Sequence, residues 1–183
     1  DANGDKVIDD RDRQNIGNPN PDYTGAVTSK ISWKSFTLDF LFTFSSGNQV
    51  YNGVRKALES QSGMENQLLS VNNRWRAQGQ ITNMPKATWG DPMGNAAFSD
   101  RFIEDGSFFR MKAVTLNYHL PLKPTNLIKY ISFYATGNNL LTFTKYLGYD
   151  PEFYSAESVF ARGVDMGLEP ISKSIVGGIR IGL

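Results

Sequence analysis

The stretch Phe102–Pro121, FIEDGSFFRMKAVTLNYHLP, alternates with a period of two: Val114, Leu116, Tyr118 and Leu120 fall on one face, and Ala113, Thr115, Asn117 and His119 on the other. Such alternation predicts a β-strand, entered from an Asp105-Gly106 turn and stopped by Pro121, which has no N–H to donate. One face is greasy and the other is small and polar. A soluble sandwich would turn the greasy face inward. A transmembrane barrel would turn it outward into lipid and leave the polar face to a wet lumen.

Four further segments carry the same pattern. Tyr23, Val27, Ile31 and Trp33 alternate with Thr24, Ala26, Thr28, Lys30 and Ser32. After a tight Lys34-Ser35 connection, Phe36, Leu38, Phe40, Phe42 and Phe44 alternate with Thr37, Asp39, Leu41, Thr43 and Ser45, which makes a hairpin. Ile131, Phe133 and Ala135 alternate with Ser132, Tyr134 and Thr136 up to Asn139. The last segment, Lys173 to Leu183, sets Ile175, Ile179, Ile181 and Leu183 against Val176, Gly178, Arg180 and Gly182. Arg180 aimed at an apolar core would be costly, but aimed at a watery lumen it is not. Trp33 and Phe36, at the turn, stand where an aromatic girdle would meet the bilayer boundary.

The connections alternate in length. Turns at 34–35 and 121–127 are short, whereas 47–101 and 144–170 are long; strand signals disappear between Gly47 and Arg101, and Val50, Val54 and Leu58 suggest a helical piece. Loops this long are suspect inside a small compact domain. Long outer loops opposite short inner turns are the rule in outer-membrane barrels, and put the carboxyl terminus on the short-turn, periplasmic side. The expected fold class is therefore all-β, an antiparallel transmembrane β-barrel to which this chain supplies only about the last five strands. Residues 1–22, 47–101 and 144–170 become its extracellular loops. Five strands cannot close a barrel, and their unpaired edges are intolerable in lipid, so a longer or split polypeptide is expected.

Composition removes several alternatives. The net charge of +1 over 183 residues argues against nucleic acid as a partner and against bulk attraction to anionic lipid. With no cysteine, disulfides, thiolate metal sites and cysteine nucleophiles are excluded. No apolar run approaches the ~18 residues of a spanning helix.

Residues 1–12, DANGDKVIDDRD, place oxygen ligands at Asp1, Asn3, Asp5, Asp9 and Asp12, with the carbonyl of Val7 between them. That is the spacing of a calcium loop, so Ca2+ is the one candidate cofactor. Lys6 stands where such loops usually carry Gly, and must adopt a positive φ or loosen the loop. The competing reading is a solvated acidic turn.

The blocks DANGDKVIDDRD, IGNPNPDYTGAV, RFIEDGSFFRMKAVTLNYHLP, GNNLLTFTKYLGYDPE and GGIRIGL, in this order, resemble the carboxyl-terminal portion of SusC/RagA-type TonB-linked outer-membrane proteins of Bacteroidetes. The resemblance covers nearly the whole chain. It implies a 22-stranded barrel with an amino-terminal plug, lidded by a SusD-like surface lipoprotein and importing oligosaccharides or peptides with energy from TonB. The plug and the TonB-contact segment are not among these residues, and Leu183 replaces the more usual terminal Phe.

Catalysis finds no support. His119 is the sole histidine and belongs to no nucleophile motif, and Glu104 and Asp105, adjacent on a strand, point to opposite faces. Two other functions compete with import. One is a soluble extracellular β-sandwich binding carbohydrate with calcium, using Trp75, Trp89, Tyr149 and Tyr154 as stacking platforms. The other is a passive porin-like channel, which the lumen-facing Thr37, Asp39, Thr115, Asn117, Thr136 and Arg180 fit equally well. For import, Trp75, Trp89, Tyr146, Tyr149 and Phe153 are the loop candidates for contact with substrate or the lipoprotein, against packing within their own loops.

Overall fold

The computed structural model describes residues 2–7, 9–123, 127–153 and 161–183. Its elements are β1 (Tyr23–Trp33), β2 (Phe36–Ser46), β3 (Gln49–Asn52), α1 (Gly53–Glu59), β4 (Ile103–Asp105), β5 (Phe108–Leu120), β6 (Tyr130–Thr144), β7 (Val164–Asp165) and β8 (Ser174–Gly182). The long strands form one antiparallel sheet in the order β1-β2-β5-β6-β8, the five strands expected from the alternation. Sequential neighbours pair throughout, so each connection joins adjacent strands.

Register collects the greasy side chains on one face. One row runs Trp33, Phe36, Tyr118, Phe133, Ile179 across all five strands, and another runs Gly25, Phe44, Phe109, Phe143 near the opposite end. Phe36 and Phe44 are eight residues apart, about 26 Å along a strand, close to the height of a lipid-facing apolar band. The other face aligns polar groups: Asn117 Nδ2 donates to Asp39 Oδ2 at 3.3 Å, and the hydroxyls of Thr115 and Thr136 lie 2.8 Å apart. Arg180 sits 4.5 Å from the Tyr134 ring centroid on this face. The final glycines take their meaning here: a Cβ at Gly178 would lie 2.6 Å from the Tyr134 ring, and one at Gly182 would collide with Tyr130. Each glycine is covered by the aromatic ring of the neighbouring strand.

The sheet has no interior. Among the described residues the buried apolar side chains are Val50, Tyr51, Val71, Met84, Phe102 and Tyr146, none of them on the five long strands. Ile175 is 80 % exposed and Ile179 61 %. Phe40 and Phe42 stack side by side at 6.0 Å, and Phe42 and Phe109 at 5.2 Å, along one open surface rather than in a closed core. This is the outcome that the sandwich reading had to avoid.

Three expectations need correction. The Phe102–Pro121 strand is not continuous: β4 leaves the large sheet and pairs with β3, giving a second sheet in the order β4-β3-β7. Gly106 makes the break, because its N–H bonds to the Asn48 carbonyl at 2.9 Å so closely that any Cβ would strike Asn48 and Val50. The stretch 47–101 does contain a strand, β3, so that Val50 is a strand residue and only Val54 and Leu58 belong to the helix. Finally, β6 runs on past Asn139 to Thr144. A bulge hides this extension, with register shifting between Met111 and Ala113 and Asn139 held at φ 52°.

If the greasy face meets hydrocarbon, Val114→Arg, paired between Phe40 and Gly137, should cost about 2–4 kcal/mol. Thr28→Arg, on the polar face, should be tolerated. The check is the heat-modifiable folded band of the full-length polypeptide in membrane fractions; equal loss for both substitutions would remove the sidedness.

Candidate functional site on the loop cap

The long connections gather at one end of the sheet and carry the buried apolar side chains found among the described residues. Asn52 closes β3 and caps α1, its Oδ1 accepting the Arg55 N–H at 2.8 Å. From there a polar network spreads. Glu104 accepts from Asn52 Nδ2 at 3.2 Å and from Arg55 Nη1 at 2.8 Å with one oxygen, and from the Leu147 N–H at 2.9 Å with the other. Glu59 takes Arg55 Nε at 3.2 Å and the Ser70 hydroxyl at 2.7 Å, with Arg101 at 3.7 Å. Residues from both long loops thus meet on Glu104, while Glu59 ties α1 to the rest of the first loop. Above them lies a groove of about 380 Å3, edged by Val54, Leu58, Leu68, Leu69, Leu147 and Tyr149.

The segment 144–153 is pinned to the sheet. The Arg110 guanidinium, on β5, is buried and pairs with Asp150, whose second oxygen accepts the Ile171 N–H at 3.1 Å. Lys112 Nζ donates to Glu152 at 3.0 Å. Tyr146 donates its hydroxyl to the buried Asp165 at 2.6 Å, and burial, then this carboxylate, push the phenol pKa well above its ordinary value.

Sequence reasoning missed this framework, although RMK at 110–112 and DPE at 150–152 carry complementary charges. The candidate recognition residues divide by exposure. Trp89 and Tyr149 are 71 % and 68 % exposed. Trp75 and Phe153 are half-buried, and Tyr146 is spent on its own packing. Tyr154 of the sandwich reading lies outside the described residues. His119 is exposed at the far end, and its N–H bonds to the Ser35 carbonyl at 2.8 Å.

The amino-terminal loop has the local turns of a calcium loop. Asn3 accepts from the Asp5 N–H at 2.8 Å, Asp5 from Val7 at 2.9 Å and Asp9 from Arg11 at 2.8 Å. Asp12 closes the loop on Ala2 and Asp9, each at 2.8 Å. Lys6 takes the positive φ, 67°. Asp1 and Ile8 lie outside the described residues. Arg11 Nη2 bridges Asp5 at 3.0 Å and Asp9 at 2.8 Å, so a guanidinium supplies positive charge between these carboxylates. The Arg11 side chain holds the Asp9 carboxyl below its usual pKa, and the Asp9 N–H does the same for Asp12. Among the described residues no three His, Cys, Asp or Glu side chains are disposed around a metal position.

Comparison with known proteins fits this geometry. No family model matches the chain. It is 33 % identical over 155 residues to TonB-dependent receptor P3 of Formosa agariphila, covering 83 % of this chain and 15 % of that receptor. To the TonB-dependent receptor SusC of Bacteroides thetaiotaomicron it is 31 % identical over 186 residues, 99 % of this chain and 17 % of SusC. The RagAB peptide importer in its closed-closed state superposes with a TM-score of 0.79 at 30 % identity, over 99 % of this chain and 20 % of the importer chain. This chain belongs to the SusC/RagA-type TonB-dependent receptors. Its sheet is a segment of their antiparallel transmembrane β-barrel, spanning no more than about a fifth of the length of those relatives. SusC/RagA-type relatives are receptors and importers rather than enzymes, in agreement with the non-catalytic reading.

Breaking the buried pair tests what pins the SusC/RagA-type loop. Arg110→Met orphans the Asp150 carboxylate and should cost about 3–5 kcal/mol, seen as faster proteolysis within 144–170. Arg110→Met with Asp150→Asn should recover part of the loss, since the amide oxygen still accepts from Ile171 and no charge is stranded. Equal sensitivity of both variants would show that the pair does not hold the loop.

Proposed function

We propose that this chain supplies strands and outer loops to an outer-membrane importer that takes up oligosaccharides or peptides. Its partners are a SusD-like surface lipoprotein and TonB, the latter engaged through an amino-terminal part outside these residues. The observation that carries the reading is the two-faced sheet, apolar and open on one side, polar on the other, with a folded cap at its long-loop end. In this orientation the cap and residues 1–22 are extracellular. The carboxyl-terminal Gly182, paired with Tyr130 at the short-turn end, is periplasmic.

Within the cap, Trp89, Tyr149 and the aliphatic groove are the surfaces offered to lipoprotein and substrate, with Trp75 and Phe153 supporting them. The aliphatic lining favours apolar side chains of a peptide over the polar edges of a sugar. RagAB, which this chain resembles, is described as a peptide importer. The amino-terminal loop takes Ca2+ through Asp1, Asn3, Asp5, Asp9, Asp12 and the Val7 carbonyl when Arg11 swings aside.

Removing 144–170 together with Arg110→Ser, so that no buried guanidinium is stranded, should abolish lipoprotein capture and uptake while keeping the heat-modifiable barrel. Loss of the barrel instead would make the loop structural, and uptake that continues without TonB would make the protein a passive pore. For the loop, Arg11→Ala should raise calcium affinity in titrations of the whole protein. No binding by either form would leave Asp5, Asp9 and Asp12 as turn caps only.

A further inference from the structure

The charges of this chain are distributed unevenly along the sheet. The segments 23–46, 108–144 and 174–183 hold a single acidic residue, Asp39, against Lys30, Lys34, Arg110, Lys112, Lys123, Lys129 and Arg180. Lys30 lies opposite Asp39 in the β1–β2 register. Arg110 and Lys112 are neutralised by Asp150 and Glu152 from the loop cap. Arg180 rests against Tyr134 on the polar face. What remains without an acidic partner among the described residues is Lys34, Lys123 and Lys129, all exposed and all at the short-turn end.

Two of the three stand at the rim of the greasy face. Lys34 Nζ lies 4.7 Å from the ring centroid of Trp33, a member of the outermost apolar row. Its turn is held against β5 by the bond from the His119 N–H to the Ser35 carbonyl, 2.8 Å. Lys129, one residue before β6, continues the ladder through its N–H to the Gly182 carbonyl at 2.8 Å, and falls at the parity of Ile131 and Phe133. Lys34 and Lys129 therefore stand just beyond a row of Trp33, Phe36, Tyr118 and Phe133, and among the described residues no Asp or Glu side chain pairs with them. A lysine whose stem follows an apolar surface places its charge at the headgroup level.

We propose that the short-turn rim formed by Lys34, Lys123 and Lys129 beside Trp33 binds the phosphate headgroups of anionic phospholipids in the membrane leaflet that it faces. The inference rests on the barrel orientation proposed above. Net charge over the whole chain conceals the patch, because the acidic residues 1–22, with a small acidic excess in the loop cap, offset it. Anionic headgroups attract such lysines and hold the rim at a fixed depth.

The test uses the full-length polypeptide in nanodiscs of equal phosphatidylglycerol and phosphatidylcholine, with labelled lipid reporting on the annulus. Wild type should prefer phosphatidylglycerol, and Lys34→Gln/Lys123→Gln/Lys129→Gln should reduce that preference by about fivefold or more. The triple Arg variant should keep it, and Lys86→Gln, in the loop cap, should change nothing. A folded protein that shows no preference, or a Gln variant that retains it, overturns the proposal. A wild-type protein that never enters the disc would instead overturn the membrane orientation itself, so the two failures are distinguishable.

Discussion

Everything in this structure depends on where five hydrogen-bonded strands can put an apolar face that none of the described residues covers. The register aligns Trp, Phe, Leu, Val and Ile on one side of the sheet across its full width. The apolar core lies elsewhere, in the loops. In water such a face would be an aggregation surface. In hydrocarbon it is the solvated side, and the polar face then requires water or protein. Among the described residues the two outer strands, β1 and β8, each pair with one neighbour. An unpaired backbone edge in lipid costs several kcal/mol per group, so the same constraint that assigns the face to lipid also demands further strands at both edges. That agrees with a chain spanning less than a quarter of its relatives.

The loop cap solves a different problem with ordinary soluble-protein chemistry. Phe102 packs edge-on to Tyr51, while Phe98 stacks on Tyr51 at 4.1 Å. Around these rings, the buried side chains of Glu59 and Glu104 meet the half-buried Arg55 and Arg101. Each carboxylate receives donors from more than one element, which is what makes burial of its charge tolerable. Because Glu104 bonds both Asn52 and the Leu147 N–H, the described parts of the two long connections are tied to each other. The exposed Trp89 and Tyr149 are therefore presented from a rigid base, a condition for recognition at low entropic cost.

The strands were legible because their period-two pattern is enforced twice, by lipid on one face and water on the other. Turn lengths were legible for the same reason: they set the strands in sequential order. What escaped notice depended on tertiary contacts. A three-residue strand such as β4 has too few positions to show a period, and only the close approach of Gly106 to Asn48 reveals that the chain leaves the sheet there. Tyr146 reads as a recognition aromatic in sequence, and nothing local announces that Asp165 will claim its hydroxyl. Lys6 was legible in the opposite way: loop spacing left it either a positive φ or a loosened loop, and the backbone takes the positive φ.

The bulge in β5 joins the two halves of the molecule. Strict alternation backward from Val114 would place Lys112, Arg110 and Phe108 on the greasy face, an arrangement with two cations in lipid. The extra residue between Met111 and Ala113 reverses the parity, so that Met111 and Phe109 pair with Phe42 and Phe44 on the apolar side. Arg110 and Lys112 are thereby freed to reach Asp150 and Glu152, forty residues on. In β6 the compensating irregularity falls at Asn139, whose side-chain amide reaches the Ser172 carbonyl at 3.1 Å, on the approach to β8. One misalignment in the ladder thus removes charge from the lipid face and converts it into the anchor of the loop. A register error at this point would break both arrangements together.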